Sequence, residues 1–379
     1  MADFGSFQDG IYAEGLLAKH RRFPYTFDDL EARAQQVLDP ATFDYVRGGA
    51  GDETTQDVNV SELRRYGFVP RMLRDRSVRD LSTTFLGAEL EAPVVLCPVG
   101  VNGLVHEGGD LAVARAADAL GVAAMYSTLA EATLEEVADA RGDSFAAFQL
   151  YPTKDDQLTD SLVRRADKAG FDALTITLDT GSLGWRPRDL RNGYIPFLRG
   201  RCLANYLSDP RFIELCGVDS PPPLHAGIVW SSLFSKPTFS WDDVARIRRT
   251  TDLPIILKGI CHAEDARRAA AEGVDAIACS NHGGRQANGG LPAIGHLESV
   301  LEAGLPTTFD SGIRDGVDVL RAVGLGATLA GVGRPYVYGL AIGGQEGVEH
   351  VVRSMLAEAD LTMAADCLTT LADLHVVKR

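Results

Sequence analysis

The sequence predicts an α/β fold: a (β/α)8 TIM barrel with an N-terminal helical cap and a long lid loop after strand 4. Three observations predict it. Short apolar runs recur eight times, each bounded by turn formers. Amphipathic helical patterns separate them, several ending at glycine. Polar residues gather at the C-terminal ends of the runs, the face where barrels carry their chemistry.

The expected strands are Pro93–Cys97, Val122–Tyr126, Phe145–Leu150, Ala173–Leu178, Pro254–Lys258, Ala276–Cys279, Thr307–Phe309 and Thr328–Val332. Helical patterns cover Leu111–Leu120, Leu158–Lys168, Ala263–Ala271 and Val317–Val323, with Gly121, Gly170, Gly273 and Gly304 as stops. Eight β/α units in succession argue for parallel strands closed into a barrel, with a doubly wound open sheet as the alternative. Residues 1–90 precede the first strand, and helical patterns near Thr26–Leu38 and Ala41–Tyr45 make them a cap. Residues 180–240 form a long connection rich in Gly, Pro and aromatics, expected to be a lid loop on the catalytic face. The whole chain, 1–379, reads as one domain, with the barrel at 91–379.

Composition narrows the function classes. The net charge of −15 argues against nucleic acid and anionic membrane surfaces as partners. No apolar run approaches the about 20 residues that span a bilayer, and the N-terminus shows no leader pattern. The six cysteines have no CxxC pair and no zinc-ligand spacing, so no metal is expected. Cys97, Cys261 and Cys279 read as small core residues in a reducing, cytoplasmic setting.

The strand ends carry the chemistry. In chain order they present Pro98-Val-Gly100, Ser127, Gln149 with Tyr151, Thr177 with Asp179, Lys258, Ser280 to Arg285, Asp310 to Arg314, and Gly331 to Arg334. The last two strand ends, Asp310-Ser-Gly-Ile-Arg314 and Gly331-Val-Gly-Arg334, combine glycines with an arginine each. That pairing after strands seven and eight suits a phosphate, while the missing third glycine argues against a dinucleotide. In Ser280-Asn-His-Gly-Gly-Arg-Gln286, an imidazole beside a guanidinium suits an anionic substrate that must lose a proton. Asp179 is placed to hold that imidazole.

At these residues the chain resembles the FMN-dependent α-hydroxy-acid oxidising family, whose signature matches the 280–286 segment. The resemblance runs from about Phe27 to the C-terminus, and lactate 2-monooxygenase is the nearest branch. Leu183-Gly-Trp-Arg-Pro-Arg-Asp-Leu190, Pro196-Phe-Leu-Arg-Gly200, Leu356-Ala-Glu-Ala-Asp360 and Gly100 carry that match. It implies FMN as cofactor and a small L-α-hydroxy acid and O2 as substrates, in a homotetramer or homo-octamer. By resemblance His282 is the base, paired with Asp179. Arg186 and Arg285 hold the substrate carboxylate, with Tyr45 adding a hydrogen bond and Tyr151 meeting the hydroxyl. Pro98, Val99, Gly100, Ser127, Gln149, Thr177, Lys258 and Ser280 surround the flavin ring. Asp310, Gly312, Arg314, Gly333 and Arg334 hold its phosphate. Two outcomes are open: oxidative decarboxylation to a shortened acid, or release of keto acid and peroxide by an oxidase or dehydrogenase of a larger, mandelate-like acid. Gly181 and Ser182, where that branch has a bulky pair, are expected to enlarge the substrate pocket.

Overall fold

The structure, a computed structural model, describes residues 3–17 and 22–379. At its centre eight parallel strands close into a ring: β1 (Val94–Leu96), β2 (Ala123–Ser127), β3 (Ala146–Leu150), β4 (Ala173–Thr177), β5 (Ile255–Lys258), β6 (Ala276–Cys279), β7 (Thr307–Phe309) and β8 (Leu329–Val332). β8 pairs back onto β1 through Ala330–Val94, Gly331–Val95 and Val332–Leu96, so the sheet has no edge and the open-sheet alternative is excluded. Every predicted run is a strand within one residue of its expected bounds.

The pleat explains how the site is built. Successive side chains on a strand point to opposite faces. Val95, Ala123, Met125, Ala147, Ala173, Ile256, Ala276, Ala278 and Leu329 form one buried cluster inside the ring. Continuing each strand by two from these inward positions reaches Cys97, Ser127, Gln149, Lys258, Ser280 and Gly331. Two polar steps beyond Ala173 and Thr175 lie Thr177 and Asp179. The register that fills the interior with small apolar residues therefore delivers the polar set to one rim.

An interior lined by so many alanines needs a filler. It comes from a hairpin, Thr83–Phe85 with Ala88–Leu90, whose Phe85 and Leu90 join the same buried cluster. Phe85 meets Phe145 edge-on at 5.6 Å. Residues 1–90 are thus not one cap. The helices Phe27–Val37, Pro40–Arg47 and Thr54–Leu63 lie toward the site, whereas the hairpin packs against the first residues of the strands. A short strand at Tyr66–Phe68 also pairs antiparallel with Val376–Lys378.

The 180–240 connection is not a bare loop. It folds as short helices Pro187–Asn192, Pro196–Arg199, Ala204–Leu207, Pro210–Cys216 and Pro223–Leu233. Four of them begin on a proline in the first turn, and three end on Gly193, Gly200 or Gly217 at positive φ. Proline fits the first turn because that N–H has no intrahelical partner, and glycine ends a helix because it tolerates the left-handed conformation. Cys279 is buried as expected, but Cys97 and Cys261 are only partly buried, and Cys97 lines the central cavity; all six cysteines are free thiols.

Candidate active site

A cavity of about 330 Å³ opens at the C-terminal rim of the barrel, beneath the lid helices and beside the cap. Tyr45, Pro98, Val99, Gly100, Tyr151, Arg186, Lys258, His282, Arg285, Asp310, Gly312, Arg314, Gly333 and Arg334 all line it. Ser127, Gln149, Thr177, Asp179 and Ser280 stand behind that wall.

His282 follows β6 at φ +58, and its Nδ1 lies 2.7 Å from Asp179 Oδ1. That contact fixes the tautomer: Nδ1–H donates to the carboxylate, leaving Nε2 with a free lone pair. Burial lowers the imidazole's pKa, and Lys258 and Arg186 add to this, outweighing the opposing pull of Asp179. The group is therefore neutral at rest and able to accept a proton. Burial raises the Asp179 pKa, but His282, protonated at the low pH where Asp179 titrates, and Lys258 outweigh it and hold the carboxyl at about 2. Lys258 Nζ donates to Ser280 Oγ at 2.9 Å and lies 3.5 Å from Asp310 Oδ2 and 3.9 Å from Asp179 Oδ2. Burial works against its charge, yet those two carboxylates raise its pKa, so it is a fixed cation.

The arginines form a second group. Arg285 and Arg186 approach the Tyr45 ring at 5.2 and 5.9 Å. Arg186 Nε donates to Arg285 O at 2.9 Å, and Gln286 bridges Arg186 to the carbonyls of Asp179 and Ser182. Asp189 lines the cavity close to both guanidiniums, and burial raises its pKa. Arg188 ties the lid to the cap, bonding Glu53 at 2.7 Å and Asp44 at 3.2 Å. It thereby fixes the turn carrying Arg186 against the helix carrying Tyr45.

Toward β7 and β8 the charge is less compensated. Among the described residues no carboxylate forms an ion pair with Arg285, Arg314 or Arg334. Arg334 instead donates to the carbonyls of Val46, Gly48 and Gly283 and to Gln56, and Arg285 to Val46 and Gly48. Burial, then the neighbouring guanidiniums, lowers the pKa of both. Partly buried cations that line a cavity and repel one another are a site prepared for an anion. Glycine at 312, with φ +121, is required by the packing of the cap helix: a Cβ there would sit 2.8 Å from Asn59 O.

Behind the cavity a buried ladder crosses three strands: Ser127 Oγ donates to Gln149 Oε1 at 3.0 Å, and Gln149 Nε2 donates to Thr177 Oγ1 at 2.9 Å. The Ser280 hydroxyl is fully engaged within the protein, accepting from Lys258 and His282 N and donating to Asp310. It acts on the site through those neighbours rather than by direct contact with a ligand. Gly181 and Ser182 are exposed, between the cavity-lining Thr180 and Leu183, and a Cβ on Gly181 would meet open space.

The sequence reading missed an apolar wall. Phe197, Trp230 and Phe234 from the lid face Leu129 and Tyr151 across the cavity. Trp230 packs on Phe234 at 4.6 Å and on Phe197 at 5.1 Å, and Phe234 meets Tyr151 at 5.2 Å. The i, i+4 spacing of Trp230 and Phe234 was the available signal.

A cluster of arginines without carboxylate partners after β7 and β8, a buried lysine at the rim and a neutral imidazole held by an ionised carboxylate suit a flavin-type oxidoreductase site in a barrel. The chain belongs to the FMN-dependent dehydrogenase family, whose profile matches residues 34–378. It is 39% identical to an L-lactate oxidase of Lysinibacillus sphaericus over 358 residues, 94% of this chain and 92% of that one. It is 39% identical to human 2-hydroxyacid oxidase 1 over 342 residues, 89% of this chain and 91% of that one. The crystal structure of a mandelate oxidase superposes with a TM-score of 0.81 at 35% identity, covering 94% of this chain and 99% of the other. The protein is an FMN-dependent α-hydroxy-acid oxidoreductase.

Proposed function

We propose that this chain oxidises a small L-α-hydroxy acid with O2 in the manner of a lactate 2-monooxygenase, keeping the keto acid enclosed until it is decarboxylated. The observation that carries the reading is the His282–Asp179 pair opening, together with Arg186, Arg285 and Tyr45, into a cavity roofed by helices. FMN supplies the two-electron acceptor and, once reduced, the reductant of oxygen. The residues present fit it. Arg314, Arg334 and the backbone at Gly312 and Gly333 would hold the phosphate. The Pro98–Gly100 segment and Lys258 would face the ring, with Lys258 supplying a fixed positive charge beside it. Ser127, Gln149 and Thr177 would support the ring from behind.

Arg186 and Arg285 bind the substrate carboxylate by paired charge-assisted hydrogen bonds. Tyr45 adds a donor, and Tyr151 turns its hydroxyl toward that of the substrate. Burial, with Asp179 adding to it, pushes the Tyr151 pKa up to about 12, so it stays a neutral donor. His282 Nε2 takes the proton, and Asp179 stabilises the imidazolium that forms. The lid wall of Phe197, Trp230 and Phe234 excludes water and retains product.

A second reading, an oxidase of a larger mandelate-like acid, is favoured by the same aromatic wall, which offers an apolar surface to a bulky side chain. Gly100 is compatible with both. A Cβ there would lie 3.0 Å from Leu129 Cβ, so close packing by itself favours glycine.

Product analysis in air separates the two. With L-lactate, the monooxygenase reading expects acetate and CO2 in equal amounts with little free peroxide. Stoichiometric peroxide with intact pyruvate would contradict it, and faster turnover of mandelate would favour the second reading. The proposal includes a cytoplasmic setting, supported by six free thiols. It also includes a tetramer or octamer, supported by exposed Trp185, Leu190, Leu224 and Ile228.

A further inference from the structure

We propose that Ser311 is a positioning residue for the base loop: its hydroxyl holds the backbone on both sides of His282 in the orientation that presents the imidazole to Asp179. The inference rests on reading His282 as the base.

Ser311 follows β7 with φ +83, a conformation that glycine adopts freely and that any residue with a Cβ resists. Its neighbour at φ +121 is glycine. A serine at such a position needs a compensating interaction, and its hydroxyl makes three. It accepts from Asn281 N at 3.2 Å and from Gly283 N at 3.0 Å, and it donates to Asp310 Oδ1 at 2.8 Å. The amide between, His282 N, donates to Ser280 Oγ at 3.0 Å, and that hydroxyl donates to the same Asp310 oxygen at 2.7 Å. One carboxylate oxygen thus orients two hydroxyls, which between them hold three consecutive amides. A hydroxyl has one donor and two acceptor positions, so Ser311 is saturated.

The held segment is itself unusual. His282 and Gly283 both have left-handed backbone, at φ +58 and +64. Without the Ser311 acceptor, the amides of Asn281 and Gly283 lose their partner in a partly buried place. His282 then keeps its own amide bond to Ser280, the bond its carbonyl accepts from Arg285 N, and its ring contacts to Asp179 and Thr180. The loop would be free to relax away from left-handed φ, moving Nε2 relative to the substrate.

Two variants separate this from a merely structural role. Ser311→Gly removes the hydroxyl and suits φ +83, so the fold is retained. Ser311→Ala removes the hydroxyl and keeps the Cβ. Both are purified with FMN and compared with wild type for flavin content, melting temperature, and kcat, KM and pH dependence on L-lactate. His282→Asn is run in parallel. The expected result is a Ser311→Gly holoenzyme that carries a full complement of FMN and melts no lower than wild type. Its kcat falls about 10–100-fold, as for loss of an orienting neighbour. KM changes much less, and the acid limb of the pH profile moves. Ser311→Ala shows the same loss of kcat with a lower melting temperature. Wild-type kcat and pH profile in FMN-loaded Ser311→Gly would overturn the proposal. So would a loss of rate that added FMN restores, because the hydroxyl would then serve cofactor binding. If His282→Asn keeps wild-type activity, the base assignment itself has failed; if it is inactive while Ser311→Gly is unaffected, only the present inference has.

Discussion

Replacing His282 with alanine lowers kcat by about 10²–10⁴-fold, the usual contribution of a positioned general base, while FMN remains bound. The size follows from the geometry. His282 is the cavity-lining imidazole, its Nδ1 is committed to Asp179 at 2.7 Å, and its lowered pKa leaves Nε2 unprotonated. FMN is retained because the proposed phosphate contacts, at Arg314 and Arg334, come from other strand ends. The sign of the pH dependence follows too. The active form is the neutral imidazole, so kcat/KM rises with pH through the His282 pKa, which lies below its ordinary value of 6.5. Asp179 works in the opposite direction, raising that pKa. Asp179→Asn therefore moves the acid limb to still lower pH, and it also slows turnover because the imidazolium loses its counter-charge. Steady-state rates across pH, with flavin content measured on each variant, check both statements.

Arg285→Ala lowers kcat/KM by roughly a hundredfold or more, corresponding to about 3 kcal/mol for the loss of a charge-assisted contact in a desolvated site. Arg285 is partly buried in the cavity wall, and no carboxylate forms an ion pair with it among the described residues. Its guanidinium is held by the carbonyls of Val46 and Gly48 and lies over Tyr45. An incoming carboxylate supplies the missing counter-charge. Lysine at this position restores little, since a point charge cannot reproduce a planar paired contact. Both KM and kcat suffer, because the same contact anchors the acid and aligns its α-carbon. Wild-type kcat/KM in FMN-loaded Arg285→Ala would remove this residue from substrate binding.

Much of this site was legible because a barrel strand has a period of two. Once Ala276–Cys279 is a strand with Ala276 and Ala278 inward, Ser280 must emerge at the rim; Lys258 follows in the same way from Ile256. What stayed hidden was of two kinds. Some signals were local but unfamiliar. The hairpin turn at Leu86-Gly87 has positive φ at both residues, as two-residue hairpin loops require, but Leu-Gly is not a typical sequence for one. The lid helices were marked by Pro187…Gly193, Pro196…Gly200 and Pro210…Gly217, in a stretch whose Gly and Pro content reads as loop. Other features were non-local. Phe197 meets Tyr45, and Phe234 meets Tyr151, only because the lid folds back over the rim. The Ser311 hydroxyl meets amides 28 and 30 residues away, across neighbouring strand ends.

The central claim is that this site moves a proton from an α-hydroxy acid to His282 while two electrons pass to FMN. Anaerobic mixing of the FMN-loaded enzyme with excess L-lactate, followed by flavin absorbance, tests it most directly. The account predicts rapid, complete bleaching in the wild type, slowed by about 10²–10⁴-fold in His282→Ala, with colour returning on admission of air. Flavin that stays oxidised with L-lactate, glycolate and mandelate alike would contradict it.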